Sequence, residues 1–126
     1  MPFPTFLVED NAIIRTNLEQ TLSELAGAEF VGHAATEAEA IAWLQAHADG
    51  WRLVIVDLFL SAGNGLGVLA ACRNRRPEQR VVVLSNYATD SMRARCIDDY
   101  GADAVFDKST EIDALLEYCV AQQDET

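Results

Sequence analysis

The chain has 126 residues, half of them hydrophobic, and a formal net charge of −11. That length suits one domain around one core, and the hydrophobic fraction argues against disorder. The charge argues against nonspecific binding to nucleic acid or to an anionic membrane, because either needs a basic surface.

No apolar run approaches the length of a membrane span. Met1-Pro2-Phe3-Pro4 has neither a basic segment nor a long apolar one, so no secretory signal is read there. The cysteines Cys72, Cys96 and Cys119 are far apart and form no Cys-x-x-Cys pair. They are expected to be reduced, helix-borne core residues of a cytoplasmic protein.

In chain order, Thr5–Val8 predicts a short strand that ends on Glu9-Asp10-Asn11. Asn11 is a suitable N-cap, Ile14, Leu18, Leu22 and Leu25 follow at helical spacing, and Gly27 closes the helix. Phe30–Ala35 predicts a second, weaker strand. Thr36 and Glu39 form a capping box for a helix to about Ala48. Leu53-Val54-Ile55-Val56 is a short apolar run that ends on Asp57, and it reads as a strand buried on both faces. A third helix opens at Gly65 or Leu66 and stops at Arg73–Pro77.

Val81–Leu84 is a fourth buried strand, ending on Ser85-Asn86. Thr89 caps a helix expected to reach Tyr100. Its stripe of Met92, Cys96, Ile97 and Tyr100 is interrupted by Arg93 and Arg95. Ala104–Phe106 forms the last strand and ends on Asp107-Lys108. Ser109 is expected to cap a final helix bearing Ile112, Leu115, Leu116, Cys119 and Val120 on one face, followed by a polar tail from Gln122 to Thr126. Asp98, Asp99 and Asp103 read as a solvated face.

Five strands alternating with five helices demand a doubly wound α/β fold with a five-stranded parallel sheet. In such a sheet all strand carboxyl ends share one edge. That edge carries Glu9, Asp10, Asp57, Ser85 and Lys108. Crowded carboxylates stay ionised together only beside a cation, and an all-oxygen set suits Mg²⁺. Lys108 supplies a point charge and Ser85 a hydroxyl. A phosphoryl group on Asp57 would satisfy all five residues, because a carboxylate can act as a nucleophile toward phosphorus.

These residues carry a resemblance. The acidic pair in Leu7-Val8-Glu9-Asp10-Asn11, Asp57 with Gly65 eight residues later, Ser85 after an apolar strand, and Lys108 after Gly101-Ala102-Asp103 occur in order. Together they resemble the receiver domain of two-component response regulators, over nearly the whole chain. The resemblance implies a CheY-like, flavodoxin-like (βα)5 fold in one stand-alone receiver, residues 1–126 with a core of about 5–122.

It also implies a phosphoacceptor signalling protein rather than a conventional enzyme, with slow self-dephosphorylation. Asp57 would be the acceptor. Mg²⁺ would be held by Asp10 and Asp57, by Glu9 through water and by the backbone carbonyl of Phe59. Ser85 and Lys108 would bind phosphoryl oxygens. The implied partners are a histidine kinase or histidine phosphotransfer protein and a downstream protein target. A homodimer could form through the face of the fourth helix, fifth strand and fifth helix. Neither nucleic acid nor membrane is expected as a direct partner.

Several positions depart from the family pattern. Ser61 and Ser109 stand where proline is common, which suggests a looser acceptor loop and leaves the isomer of the Lys108–Ser109 bond open. Asn86 replaces a small residue and is expected to narrow access. Val105 holds the place of the switching aromatic, with Phe106 and Tyr87 nearby. Phe59 and Tyr87, two residues beyond the acceptor and the hydroxyl, are expected to exclude water and slow dephosphorylation. These departures keep open a pseudo-receiver acting as a phosphorylation-independent interaction module. A phosphohydrolase would want an acid where Phe59 stands. In a flavin mononucleotide binder, Glu9-Asp10 would repel the phosphate.

Overall fold

The structure is a computed structural model and describes residues 2–125, so Met1 and Thr126 of the expected terminal segments lie outside the described residues. Strands β1 (Phe3–Val8), β2 (Ala28–Ala34), β3 (Leu53–Val56), β4 (Arg80–Ser85) and β5 (Ala104–Asp107) alternate with helices. The helices are α1 (Ala12–Ala26), α2 (Glu37–Ala46), α3 (Gly65–Ala71), α4 (Asp90–Ala94) and α5 (Ile112–Glu125). The described residues form one parallel sheet of five strands, in the order β2-β1-β3-β4-β5. This is the expected doubly wound (βα)5 architecture.

Strand alternation sorts the core into two layers. Phe6, Val8, Val54, Val56, Val81 and Val83 pack on the side of α2, α3 and α4. Phe3, Leu7, Leu53, Ile55, Val82 and Leu84 pack on the side of α1 and α5. Burial on both faces is why the central strands read as continuous apolar runs. All three cysteines are buried and free. Burial pushes the Cys72 thiol up to about 11 and that of Cys119 up to about 12, so neither is a thiolate at neutral pH.

Capping follows the sequence at three helices. The side chain of Asn11 accepts from the amides of Ile13 and Ile14, Thr36 Oγ1 from Glu39, and Thr89 Oγ1 from Met92. Gly27 takes φ +76° at the end of α1, where a left-handed residue is needed.

Four expectations are corrected. The fourth helix does not run regularly to Tyr100: α4 gives way to a widened π-type turn over Arg95–Asp99. Met92, Cys96 and Tyr100 all pack inward and are spaced by four. A regular helix would rotate them about 80° out of line over two steps, and the wider turn removes that drift.

Ser109 does not cap the last helix. Asp107 Oδ1 accepts from the amides of Ser109 (2.7 Å) and Thr110 (3.1 Å), and the helix starts at Ile112. The expected tail from Gln122 is helical through Glu125, because Leu115, Cys119 and Gln122 continue one buried face at i, i+4 and i+7. Asp103 is a structural staple, accepting from Val81 N (2.8 Å) and Arg75 Nη2 (2.9 Å).

Arg93 also departs from a solvated helix position. Its guanidinium donates to the carbonyls of Ala88 (2.9 Å) and Val105 (2.8 Å) and to the carboxylate of Glu111. One side chain thus ties the β4–α4 loop, β5 and the start of α5. The Arg93 hydrogen bond and the Asp107 amide hold the Glu111 carboxyl below its ordinary 4.5. A carboxyl depressed by folding contributes stability that is present above its unfolded value and is lost as pH falls through the folded one. The wild type should therefore melt above Glu111→Gln at pH 6, with the gap closing as pH is lowered below 4. A pH series of thermal unfolding measures this, and a gap that persists undiminished at pH 3 contradicts it.

Candidate functional site

The strand order reverses between β1 and β3, the place where open α/β sheets bind ligands. Val8 lies beside Val56, and Val56 beside Val83. The Asp57 amide donates to Val8 O at 3.0 Å, so the residues after β1 and β3 leave the sheet side by side. On the other flank Ser85 pairs with Asp107, and the Lys108 amide donates to Ser85 O at 3.0 Å.

Lys108 Nζ reaches Glu9 Oε1 at 2.5 Å and Asp57 Oδ2 at 2.8 Å. Glu9 is 1% exposed and Asp57 7%. Burial pushes the Glu9 carboxyl above its ordinary range, with Lys108 and the Asn11 amide opposing that shift. Burial acts against the Lys108 charge, but hydrogen bonds to Asp57 and Glu9 outweigh it, and its pKa is raised. Glu9, Asp10 and Asp57 each place one carboxylate oxygen within 4.8 Å of the others. Three hard oxygen donors around a compensated pole fit a divalent cation such as Mg²⁺.

A cleft of about 220 Å³ is lined by Glu9, Asp10, Asp57, Phe59, Asn86, Tyr87 and Lys108. Asn11 and Ile14, which no motif singles out for the site, line it as well. Asn11 is visible in the sequence only as a helix cap. Phe59 and Tyr87 meet at 4.5 Å between ring centroids and an angle of 53°, and both remain more than half exposed. Asn86 Oδ1 accepts from Ser109 Oγ at 3.4 Å.

The remaining expected residues stand back from the cleft. Ser85 is fully buried at the end of β4, where its Oγ accepts from the Tyr87 amide at 3.1 Å. Val105 packs into the α2–α4 side of the core. Phe106 packs on the opposite side, edge-on to Tyr118 at 5.8 Å. Alternation along β5 puts these neighbours on opposite faces. The Lys108–Ser109 bond is trans.

The β3–α3 loop curls back on the strand. Phe59 N donates to Asp57 Oδ1 at 3.3 Å, and Gly65 N to Leu58 O at 2.9 Å. A Cβ at Gly65 would lie 2.3 Å from the carbonyl oxygen of Asp57. Only glycine permits that approach. The Ser61 hydroxyl donates to Ala35 O at 3.3 Å, a contact between the loop and the segment before α2.

Residues 5–119 match the response regulator receiver domain family. The photosynthetic apparatus regulatory protein RegA of Rhodobacter capsulatus is 35% identical over 81 residues, 64% of this chain and 42% of that protein. The DNA-binding transcriptional activator DevR/DosR of Mycobacterium tuberculosis is 31% identical over 68% of this chain and 38% of that protein. The chain thus spans about two fifths of the length of these relatives. The DevR/DosR name includes DNA binding, which does not fit the expectation of no direct nucleic-acid partner.

Among solved structures, CheY in the CheX-CheY-BeF3-Mg complex of Borrelia burgdorferi superposes with a TM-score of 0.83. It is 19% identical, over 94% of this chain and 87% of that one, which shows the shared CheY-like fold. A response regulator from Burkholderia pseudomallei with a phosphorylated aspartic acid is 25% identical, with a TM-score of 0.75 over 98% of this chain and 72% of that one. Among the described residues no helix is long and apolar enough to cross a membrane.

The glycine contact is open to test. Gly65→Ala forces the loop away from the strand end and should lower stability by about 1–3 kcal/mol. Urea denaturation of both proteins reads this directly, and equal midpoints would show that the close approach is dispensable.

Proposed function

The chain belongs to the response regulator receiver domain family, and from that premise we propose that it takes a phosphoryl group onto Asp57 from a phosphohistidine. Receiver domains are signalling proteins of two-component systems that interact with histidine kinases and downstream targets. The donor would be a kinase or a histidine phosphotransfer protein. The observation that carries the reading is Lys108 bridging Asp57 and Glu9, with the Asp10 carboxylate alongside.

In the transfer, an Asp57 carboxylate oxygen attacks phosphorus in line. The new O–P bond forms as the P–N bond to the donor imidazole breaks, and the imidazole leaves with the electron pair. Asp10, Asp57 and the Phe59 carbonyl would hold Mg²⁺, with Glu9 acting through water. The ion would supply positive charge against the phosphoryl oxygens. Lys108 already lies 2.8 Å from the acceptor and would follow the charge onto the product. The Ser85 hydroxyl oxygen accepts from Tyr87 N, which leaves its proton free to be donated to a phosphoryl oxygen.

Phosphorylation would then alter contacts with a protein target, or between two copies through the α4–β5–α5 face. Phe59 and Tyr87 line the cleft and would shield the phosphoryl group from water, which would make hydrolysis slow. Incubation with Mg²⁺ and acetyl phosphate should add one phosphoryl group by intact mass to the wild type and none to Asp57→Asn. No adduct, with no Mg²⁺ binding, would move the reading to a phosphorylation-independent interaction module. Decay of the adduct should be faster in Phe59→Asn. A wild-type half-life of seconds, unchanged in that variant, would remove the shielding role.

A further inference from the structure

The loop that presents Asp57 and Phe59 is held from outside by a residue of α2 to which the site gives no role. Glu37 Oε1 accepts from the Asn64 amide at 2.9 Å, and the Glu37 amide donates to Ala62 O at 3.1 Å. Its side chain fills the space over two glycines. A Cβ at Gly63 would lie 2.4 Å from Glu37 Cβ, and one at Gly67 would lie 2.1 Å from Glu37 Oε2. Gly63 also takes φ +77°, a conformation other residues rarely adopt.

Asn64 is bridged to Phe59 and caps α3, its Oδ1 accepting from Gly67 N at 3.2 Å. Ser61 adds its bond to Ala35 O from the same loop. Glu37, in the first turn of α2, therefore grips the loop at residues 62 and 64 and, by shape, at 63 and 67, while Ala35 just before the helix holds residue 61. The grip passes through the Phe59–Asn64 bridge to the carbonyl proposed as a metal ligand. Accepting from a loop amide with a carboxylate gives a charge-assisted bond, stronger than the neutral equivalent.

We propose that Glu37 is a positioning residue, a clasp that holds the β3–α3 loop so that the Phe59 carbonyl and Asp57 face the cation together. This rests on the proposed function. Groups that orient metal ligands from behind typically change metal affinity by about 10–100-fold when removed. The glycines at 63 and 67 have a reason in this reading: they leave room for the carboxylate.

Mg²⁺ affinity, followed by amide chemical shifts, should fall about tenfold in Glu37→Ala. The Asn64 amide should exchange with solvent faster in the absence of any ion. Glu37→Gln keeps an acceptor of the same shape and should stay within about twofold of the wild type. Gly67→Ala, which displaces the carboxylate while leaving both Glu37 and Asn64 in the chain, should reproduce the Glu37→Ala loss. In the double variant the two losses should not add.

Wild-type Mg²⁺ affinity and Asn64 exchange in Glu37→Ala would overturn the proposal, as would additive losses in the double variant. If Glu37→Ala fails to fold, Gly67→Ala alone decides between the same outcomes. Intact mass with acetyl phosphate separates the two layers. A wild type that takes no phosphoryl group overturns the proposed function, whereas one that does so with Glu37→Ala its equal in affinity and exchange overturns only the clasp.

Discussion

Lys108 lies between two buried carboxylates, and the functional pole depends on that arrangement. Glu9 and Asp57 leave adjacent strands with almost no access to water. Two such charges repel each other, and an uncompensated buried charge costs several kcal/mol. The ammonium group offsets both at once, and its own charge is held by them in turn. A pole balanced in this way would respond to a change in charge on Asp57, because the lysine is shared between both carboxylates.

The backbone around this triad leaves little slack. Lys108 and Ser85 are joined by a main-chain hydrogen bond, Asp57 and Val8 by another, and Gly65 touches the Asp57 carbonyl. Beyond the sheet, two charged side chains extend the bracing. Glu37 holds the β3–α3 loop from α2, and Arg93 links the segments that follow Ser85 and Lys108. Arg93 also donates to the carbonyl of Val105 and so holds β5 in the same brace.

Much of this is legible in the order of the residues alone. Parallel sheets collect strand ends on one edge, so residue type at the ends of β1, β3, β4 and β5 is enough to assemble Glu9, Asp10, Asp57, Ser85 and Lys108. Caps at Asn11, Thr36 and Thr89 follow from local hydrogen bonding. The widened turn after α4, the capping of the last turn by Asp107 and the inward path of Arg93 were not legible. Each depends on what a neighbouring element offers: a core needing Cys96, free amides at Ser109 and Thr110, or carbonyls at Ala88 and Val105.

The sequence by itself determined the order of elements, the parallel sheet, the two-sided core and the acid–hydroxyl–lysine edge. These rest on periodicity and on groups a few residues apart, which act before the chain is compact. Tertiary structure decided which of those groups touch. It set Lys108 between Glu9 and Asp57, turned Phe106 away from the cleft and pressed Glu37 between Gly63 and Gly67. Contacts of that kind join residues 26 to 99 positions apart, and only the packing of α2, α5 and the loops against one sheet fixes their distance.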